Sequence, residues 1–452
     1  MLDPVLARID ADLPAAMDRL SDLLKIPSIS TDPAYAAECT KAADWLVRDL
    51  ETIGISADAR QTPGHPMVVG HGGEGGRHLL FYGHYDVQPV DPLDLWDHDP
   101  FDPRVEGGQI RARGAADDKG QLMTFVEACR AWKATHGNLP CRLTFLFEGE
   151  EESGSPSLIP FLKDNADELR AELALICDTG MFDPQTPAIT TMLRGLLGEE
   201  ITITGPSRDL HSGSYGGAAI NPARVLARIL ASLHDDTGRI TVPGFYDGVT
   251  ELDPSVKAQW DQLPFDANAF LGDVGLSVPA GEQDRTPLEM IWSRPTCEIN
   301  GMTSGYTGDG FKTVLPSKAS AKISFRLVGQ QDPFKIRDSF RKLVRDALPA
   351  DCSVEFKDHG AGPASSMDIS DPAFEAARQA LSDEWPNEAA FVGAGGSIPI
   401  AGYFGDYLGM TALLAGFGRD DDRIHSPNEK YDVESFHKGI RSWARILAAL
   451  SN

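Results

Sequence analysis

Apolar runs that break off in acidic or imidazole side chains recur along the first part of the chain. In LLFYGHYDVQP, Leu79, Leu80, Phe81 and Tyr82 form an apolar run closed by Gly83, and His84, Asp86 and Gln88 then follow at alternate positions. CRLTFLFEGEEE and ELALICDTG repeat the design, each an apolar strand that ends in acid. Between these strands, AAECTKAADWLVRDLETI over residues 36–53 and GQLMTFVEACRAWKAT carry helical periodicity. SPSLIPFLKDNADELR reads as a helix capped by Ser155 with Pro156 in its first turn. VEGGQIRARG predicts a tight hairpin turning at Gly107-Gly108. The N-terminal stretch predicts an amphipathic helix with Leu20, Leu23 and Leu24 on one face. Strands alternating with helices predict a mostly parallel sheet covered on both faces.

The pattern changes near residue 188. Residues 190–205 and 312–328 alternate apolar and polar positions as half-buried strands do, and helical stretches lie at 221–234 and 333–347. Residues 240–296 are rich in Pro, Gly and acid and have weak periodicity, so they read as an insertion. From about 359 the α/β pattern of the first 187 residues returns. The predicted fold class is α/β: a mostly parallel-sheet domain formed by 1–187 and 359–452, interrupted by a smaller α+β domain over 188–358.

Length and composition fit this picture. A chain of 452 residues exceeds one compact core, and 42% apolar residues suffice for two. A formal net charge of −26 argues against nucleic acid or an anionic membrane as partner. Cys39, Cys129, Cys141, Cys177, Cys297 and Cys352 form no C-x-x-C pair and read as reduced thiols of a cytoplasmic protein. The N-terminus has no secretory pattern, and no apolar run approaches the ~20 residues of a membrane span.

Chemistry concentrates at the predicted strand ends, where open α/β sheets bind their ligands. One strand ends in His84 and Asp86, one in Glu150, Glu151 and Glu152, and one in Asp178. RGAADDKG places Asp117 and Asp118 in a loop before a helix, and RIHSPNEK offers His425. Singly, a strand-end His, a Glu triplet or an Asp pair is ordinary surface or capping chemistry. Together at successive ends of one sheet they would repel unless cations sat among them. Two divalent ions bridged by a carboxylate answer that need, and mixed His and carboxylate donors suit zinc, with manganese or cobalt as alternatives. Asp86 is placed to accept the other ring N–H of His84.

GHYDVQP, RGAADDKG, EGEEESGS, DLHSGSYGG, SGYTGDGFKTVLPSKASAKISFRLV and GGSIPI span nearly the whole chain. In these motifs the sequence resembles the M20 family of co-catalytic metallopeptidases, and most closely its carnosinase-like dipeptidases. The resemblance implies a di-metal catalytic domain interrupted by a lid domain through which the chain forms a homodimer. It implies metal ligands His84, Asp117 as the bridging carboxylate, Glu152, Asp178 and His425, with Asp86 orienting His84 and Glu151 as the general base. Asp118 would be joined to Asp117 by a cis peptide, and Glu150 would be spare. His211 would stabilise the oxyanion in the partner's site. Thr313 would be presented across the dimer as well. Arg326 would bind the substrate's terminal carboxylate, and Gly396 and Ser397 would contact the same end.

The implied activity is hydrolysis of dipeptides that have a free carboxylate. Sibling chemistries are N-acyl amino acid deacylation and removal of a C-terminal residue from longer peptides. A non-catalytic binding protein is disfavoured by the complete set of ligands and base. Two-metal phosphoester hydrolysis is disfavoured because no cluster of basic residues lies near the strand ends.

Overall fold

The computed structural model describes residues 1–396 and 398–451. The chain forms two compact units: Met1–Thr191 with Met367–Val392 and Ile400–Asn452, and Met192–Ser366 with Gly393–Pro399.

The first unit is built on a mixed sheet whose centre is parallel. The His78–His84 strand lies between Arg142–Glu148 and Leu173–Ile176 and runs parallel to both. Ala412–Leu414 continues the parallel set beyond Leu173–Ile176. Met67–Gly72 and Ser56–Arg60 extend the other side in antiparallel register. Leu79 to His84 are all buried, as are Leu143 to Glu148, which is the signature of strands covered on both faces. Register explains why chemistry gathers at one edge. His84 pairs with Glu148, and Tyr82 pairs with Ile176, which sets Asp178 level with His84.

Aromatic packing ties that sheet to its helices. The Phe81 ring stacks on Phe125 of the Lys119–His136 helix at 3.7 Å between centroids. Trp443, from the Val433–Ala449 helix, meets both rings edge-on at 5.7 and 5.4 Å. The helix that starts right after Asp118 is thus fixed to the strand that ends in His84. The predicted hairpin forms between Arg104–Glu106 and Gln109–Arg111, with φ of 58° and 80° at Gly107 and Gly108, as its two-residue turn requires.

One helix start differs from expectation. The helix assigned to a Ser155 cap begins at Leu158, and Ser155 itself adopts φ 54°. The cause is Glu150: its main-chain oxygen accepts the Ser155 N–H at 2.7 Å, and its buried carboxylate accepts the Ser157 N–H at 2.9 Å.

The second unit is a four-stranded antiparallel sheet in the order Thr296–Ser304, Lys318–Leu327, Gly195–Thr204, Ser353–Gly362. Gly195–Thr204 alternates buried and half-buried positions without a break. Its buried row includes Leu197, Ile201 and Ile203, which pack with residues of the Pro222–Ala231 and Pro333–Asp346 helices. Both helices open on proline, and Asn221 and Asp332 accept the free N–H groups of their first turns. Glu199 shares the buried row and is neutralised there by Arg337 at 2.9 Å and Arg341 at 2.8 Å.

The Phe81, Phe125 and Trp443 cluster should dominate the stability of the first unit. Phe81→Ala is expected to cost about 3–5 kcal/mol. A differential scanning calorimetry trace of metal-free protein should show the fall in midpoint, with metal left out so that ligand linkage does not mask it.

Candidate metal centre

The centre is assembled around the Asp117 carboxylate. One oxygen, Oδ1, lies 3.0 Å from His84 Nε2, and the other, Oδ2, lies 3.0 Å from His425 Nε2. Asp178 Oδ2 approaches His84 Nε2 at 3.8 Å, and Glu152 Oε2 approaches His425 Nε2 at 3.2 Å. Two groups that could each hold a metal ion result, His84 with Asp117 and Asp178, and Asp117 with Glu152 and His425. Within each group the donor atoms lie within 4.8 Å of one another, and Asp117 belongs to both.

Electrostatics shows which charge the cluster calls for. Burial, reinforced by the charges of Asp117 and Asp118, pushes the Asp178 carboxyl well above its ordinary range. Burial works against a charge on His84, yet hydrogen bonds to Asp117 and Asp86 hold its pKa well above the usual imidazole value. Hydrogen bonds to Asp117 and Glu152 raise His425 to about 10. The imidazolium protons thus stand where the acids demand positive charge. A donor set of imidazole nitrogens and carboxylate oxygens is what a borderline divalent cation takes, so the residues fit the expected metals.

The surrounding shell is dense. Asp86 does more than face His84. Its Oδ1 is 3.4 Å from His84 Nδ1, and its main-chain oxygen is nearer, at 3.1 Å. Its two carboxylate oxygens also accept the N–H groups of Glu151 at 3.2 Å and Glu152 at 3.0 Å. One buried acid therefore joins the end of the His84 strand to the turn that carries Glu151 and Glu152. Asp118 follows Asp117 through a cis peptide and accepts the His84 N–H at 3.0 Å. Gly83 makes that approach possible, since a Cβ there would lie 2.9 Å from Asp118 Oδ2. Cys177 is buried and turns its S–H toward Asp118 at 3.3 Å.

Glu151 stands apart from these bonds. No hydrogen bond reaches its carboxylate among the described residues. Burial pushes its pKa up to about 7, against the pull of His84 and with the push of Glu152. A proton acceptor near neutrality beside the metal ligands is suited to general base work. Glu150 is not spare: it is buried, and its second carboxylate oxygen accepts the His65 N–H at 2.8 Å.

Two residues of the site escaped the sequence reading. Gln88 donates to Glu152 Oε2 at 2.7 Å, which orients that ligand; its position two beyond Asp86, on the same alternation, was the one signal for it. Glu429 accepts Arg113 Nη1 at 2.7 Å and the N–H groups of Gly114, Ala116 and Asp117 at 3.1, 2.9 and 3.1 Å. In the sequence it is one charge in SPNEK and looks like surface.

The remaining candidates lie in the second unit. His211 pairs with Val314 in a short ladder, is exposed, and accepts the Gly213 N–H on Nδ1 at 3.0 Å. Ser212 donates its N–H to the Thr313 oxygen at 3.0 Å, which brings Thr313, just before the Val314–Leu315 strand, beside His211. Arg326 lies in the Lys318–Leu327 strand, half-buried, with no ion pair of its guanidinium among the described residues. Gly396 accepts the Arg194 N–H at 3.2 Å. Ser397 lies outside the described residues.

Residues 80–449 match the description Peptidase family M20/M25/M40. The chain belongs to that peptidase family. It is 31% identical to the Cys-Gly metallodipeptidase dug1 of Schizosaccharomyces pombe, over 100% of this chain and 98% of the relative. It is 28% identical to the human Beta-Ala-His dipeptidase, over 100% and 93%. Among solved structures it resembles the dipeptidase Dug1p of Saccharomyces cerevisiae, with a TM-score of 0.80 at 30% identity over 100% of this chain and 98% of that one. It also resembles the M20 family metallo-carboxypeptidase Sso-CP2 of Sulfolobus solfataricus, with a TM-score of 0.83 at 31% identity over 96% and 99%. The family, the mixed α/β fold and the peptidase class therefore stand as the motifs implied. No helix among the described residues is long and apolar enough to cross a membrane.

Asp86→Asn should test the double duty of that residue. The new amide would set a donor against the Glu151 or Glu152 N–H. Metal affinity measured by chelator competition is expected to fall ~10–100-fold, the range for second-layer partners of metal-bound His.

Proposed function

We propose that the protein is a metal-dependent dipeptidase that hydrolyses the amide bond of dipeptides with a free C-terminal carboxylate, using two zinc-type ions. The observation that carries this reading is Asp117, with one carboxylate oxygen 3.0 Å from each of two imidazoles drawn from distant parts of the chain. The activities that name its relatives, Cys-Gly and Beta-Ala-His dipeptidases, give the substrate class.

His84 and Asp178 would hold the first ion, Glu152 and His425 the second, and Asp117 both. When bound, the pair supplies Lewis-acid polarisation of the amide carbonyl and lowers the pKa of water. Glu151 takes the proton from the attacking water and returns it to the leaving amine. Asp86 keeps His84 in its ligating orientation and holds the Glu151–Glu152 turn. Arg326 would bind the substrate's carboxylate by a charge-assisted bond, with Thr313, Gly396 and Ser397 at the same end. His211 would stabilise the developing oxyanion in the partner subunit of a homodimer. Support for these outer roles comes from the motifs, from the exposure of His211 and Thr313, and from an Arg326 guanidinium with no ion pair among the described residues. Free cysteines throughout suit a cytoplasmic setting.

Incubating zinc-loaded enzyme with dipeptides, N-acyl amino acids and longer peptides, read by mass spectrometry, tests the reading. Dipeptides should be cleaved fastest. Turnover of N-acyl amino acids alone would overturn it. Release of C-terminal residues from longer peptides is the second reading, favoured by the likeness to Sso-CP2.

Glu151→Gln should retain metal and lose at least ~10²-fold in rate, the scale of a positioned base. Glu152→Gln should instead lower metal content by elemental analysis. Co-expressing Glu151→Gln with His211→Ala separates the two possible paths for His211. If it acts across the dimer, mixed dimers contain one intact site and regain up to about half the wild-type rate. If it acts within its own chain, no activity returns.

A further inference from the structure

We infer that Glu429 is a positioning residue for the second metal position, locking the loop that carries His425 to the loop that carries Asp117. The inference rests on the two-ion reading and names what makes its second half possible.

The two imidazoles are held in opposite ways. His84 is wholly buried at the end of a core strand and has Asp86 behind its Nδ1. His425 is 52% exposed, and no hydrogen bond reaches its Nδ1 among the described residues. Its Nε2 meets Asp117 and Glu152, the residues it would join on the metal. The aim of His425 must therefore come from its main chain.

That main chain is unfavourable on its own. Arg423, His425 and Asn428 adopt φ of 56°, 62° and 62°, a region that side chains with a Cβ seldom occupy. Such residues persist only where the surroundings hold them. Three consecutive side chains supply the hold. Asn428 accepts the Asp97 N–H at 2.9 Å and donates to the Leu95 oxygen at 3.0 Å. Lys430 sits 2.7 Å from both Asp421 and Asp422, which also means that this acidic group already has its cation.

Glu429 is the central hold, and it alone reaches the metal loop. Its carboxylate is fully buried, and its two oxygens take four donors from one short stretch, the Arg113 guanidinium and the N–H groups of Gly114, Ala116 and Asp117. Its own main-chain oxygen accepts the Ala112 N–H at 3.2 Å. A displacement of Glu429 would move Asp117 and His425 relative to each other. His84, Asp86 and Asp178, which belong to the sheet edge, would stay in place.

Glu429→Gln keeps the shape, removes the charge opposite Arg113 and turns a donor toward backbone N–H groups. Zinc titrated into metal-free full-length protein, with chelator competition, should resolve two binding steps in the wild type. In the variant the second step should weaken at least ~10-fold and by clearly more than the first, which shares Asp117 but keeps His84 and Asp178 at the sheet edge, with the rate recovering in excess zinc. Asn428→Ala leaves the pair with Arg113 intact and should weaken the same step to a smaller degree, so it decides the matter if Glu429→Gln fails to fold. Unchanged second steps in both variants would overturn the inference alone, as would equal weakening of both steps, the mark of general damage. A wild-type protein that binds one zinc would overturn the two-ion reading and this inference with it.

Discussion

Like charges crowded at a dry sheet edge are the constraint on which the first unit depends. Asp86, Asp117, Asp118, Glu148, Glu151 and Glu152 gather around His84, and most are removed from water. Carboxylates at such distances cannot all remain charged without compensation. The structure compensates in two ways. Acids at the rim of the cluster are turned toward backbone N–H groups, as Asp86, Asp118, Glu150 and Glu429 are. Acids at its middle face imidazoles, as Asp117, Asp178 and Glu152 do. The first group meets donors supplied by the fold, while the second meets the imidazoles of the proposed metal centre. That division separates scaffold from ligand more sharply than residue type does.

Delivering those groups demands a rigid frame. Parallel strands in fixed register place His84, Glu148 and Asp178 on one level. The stack of Phe81 on Phe125 joins that level to the helix that begins after Asp118. The chemistry therefore inherits its precision from apolar packing several residues away. Hydrogen bonds alone, each worth about 1 kcal/mol net, would not define it.

What the sequence made legible follows from which signals are local. His84 and Asp178 could be read because apolar runs stop at them. The Asp117-Asp118 pair could be read because its loop precedes a helix, and the choice of Asp117 came from the family motif. The hairpin at Gly107-Gly108 could be read because that turn needs two residues with positive φ. Glu429 was illegible because its partners lie 312 to 316 positions away, and a Glu beside a Lys looks solvated until the fold buries it. Glu150 was misjudged for the same reason: within a triplet of glutamates nothing local says which one is core. The Ser155 cap failed because the carboxylate of Glu150 competes for the N–H groups that Ser155 was assigned. Short-range rules hold until a buried charge claims the same donors.

Under the proposed function, the two compact units answer two incompatible demands. The acids and imidazoles of the proposed metal centre need fixed positions, and in the first unit Asp86, Asp118, Glu150 and Glu429 help to fix them by accepting backbone N–H groups. Groups that are to grasp a substrate must keep their bonding capacity unspent. In the second unit His211 and Thr313 are exposed, and Arg326 has no ion pair among the described residues, whereas Glu199 is sealed by two arginines. A single core could not easily satisfy both, because a buried guanidinium without a partner costs more than a small domain can spare. With the fixed charges in one compact unit and the unspent groups exposed or half-buried in another, each unit can be stable on its own terms.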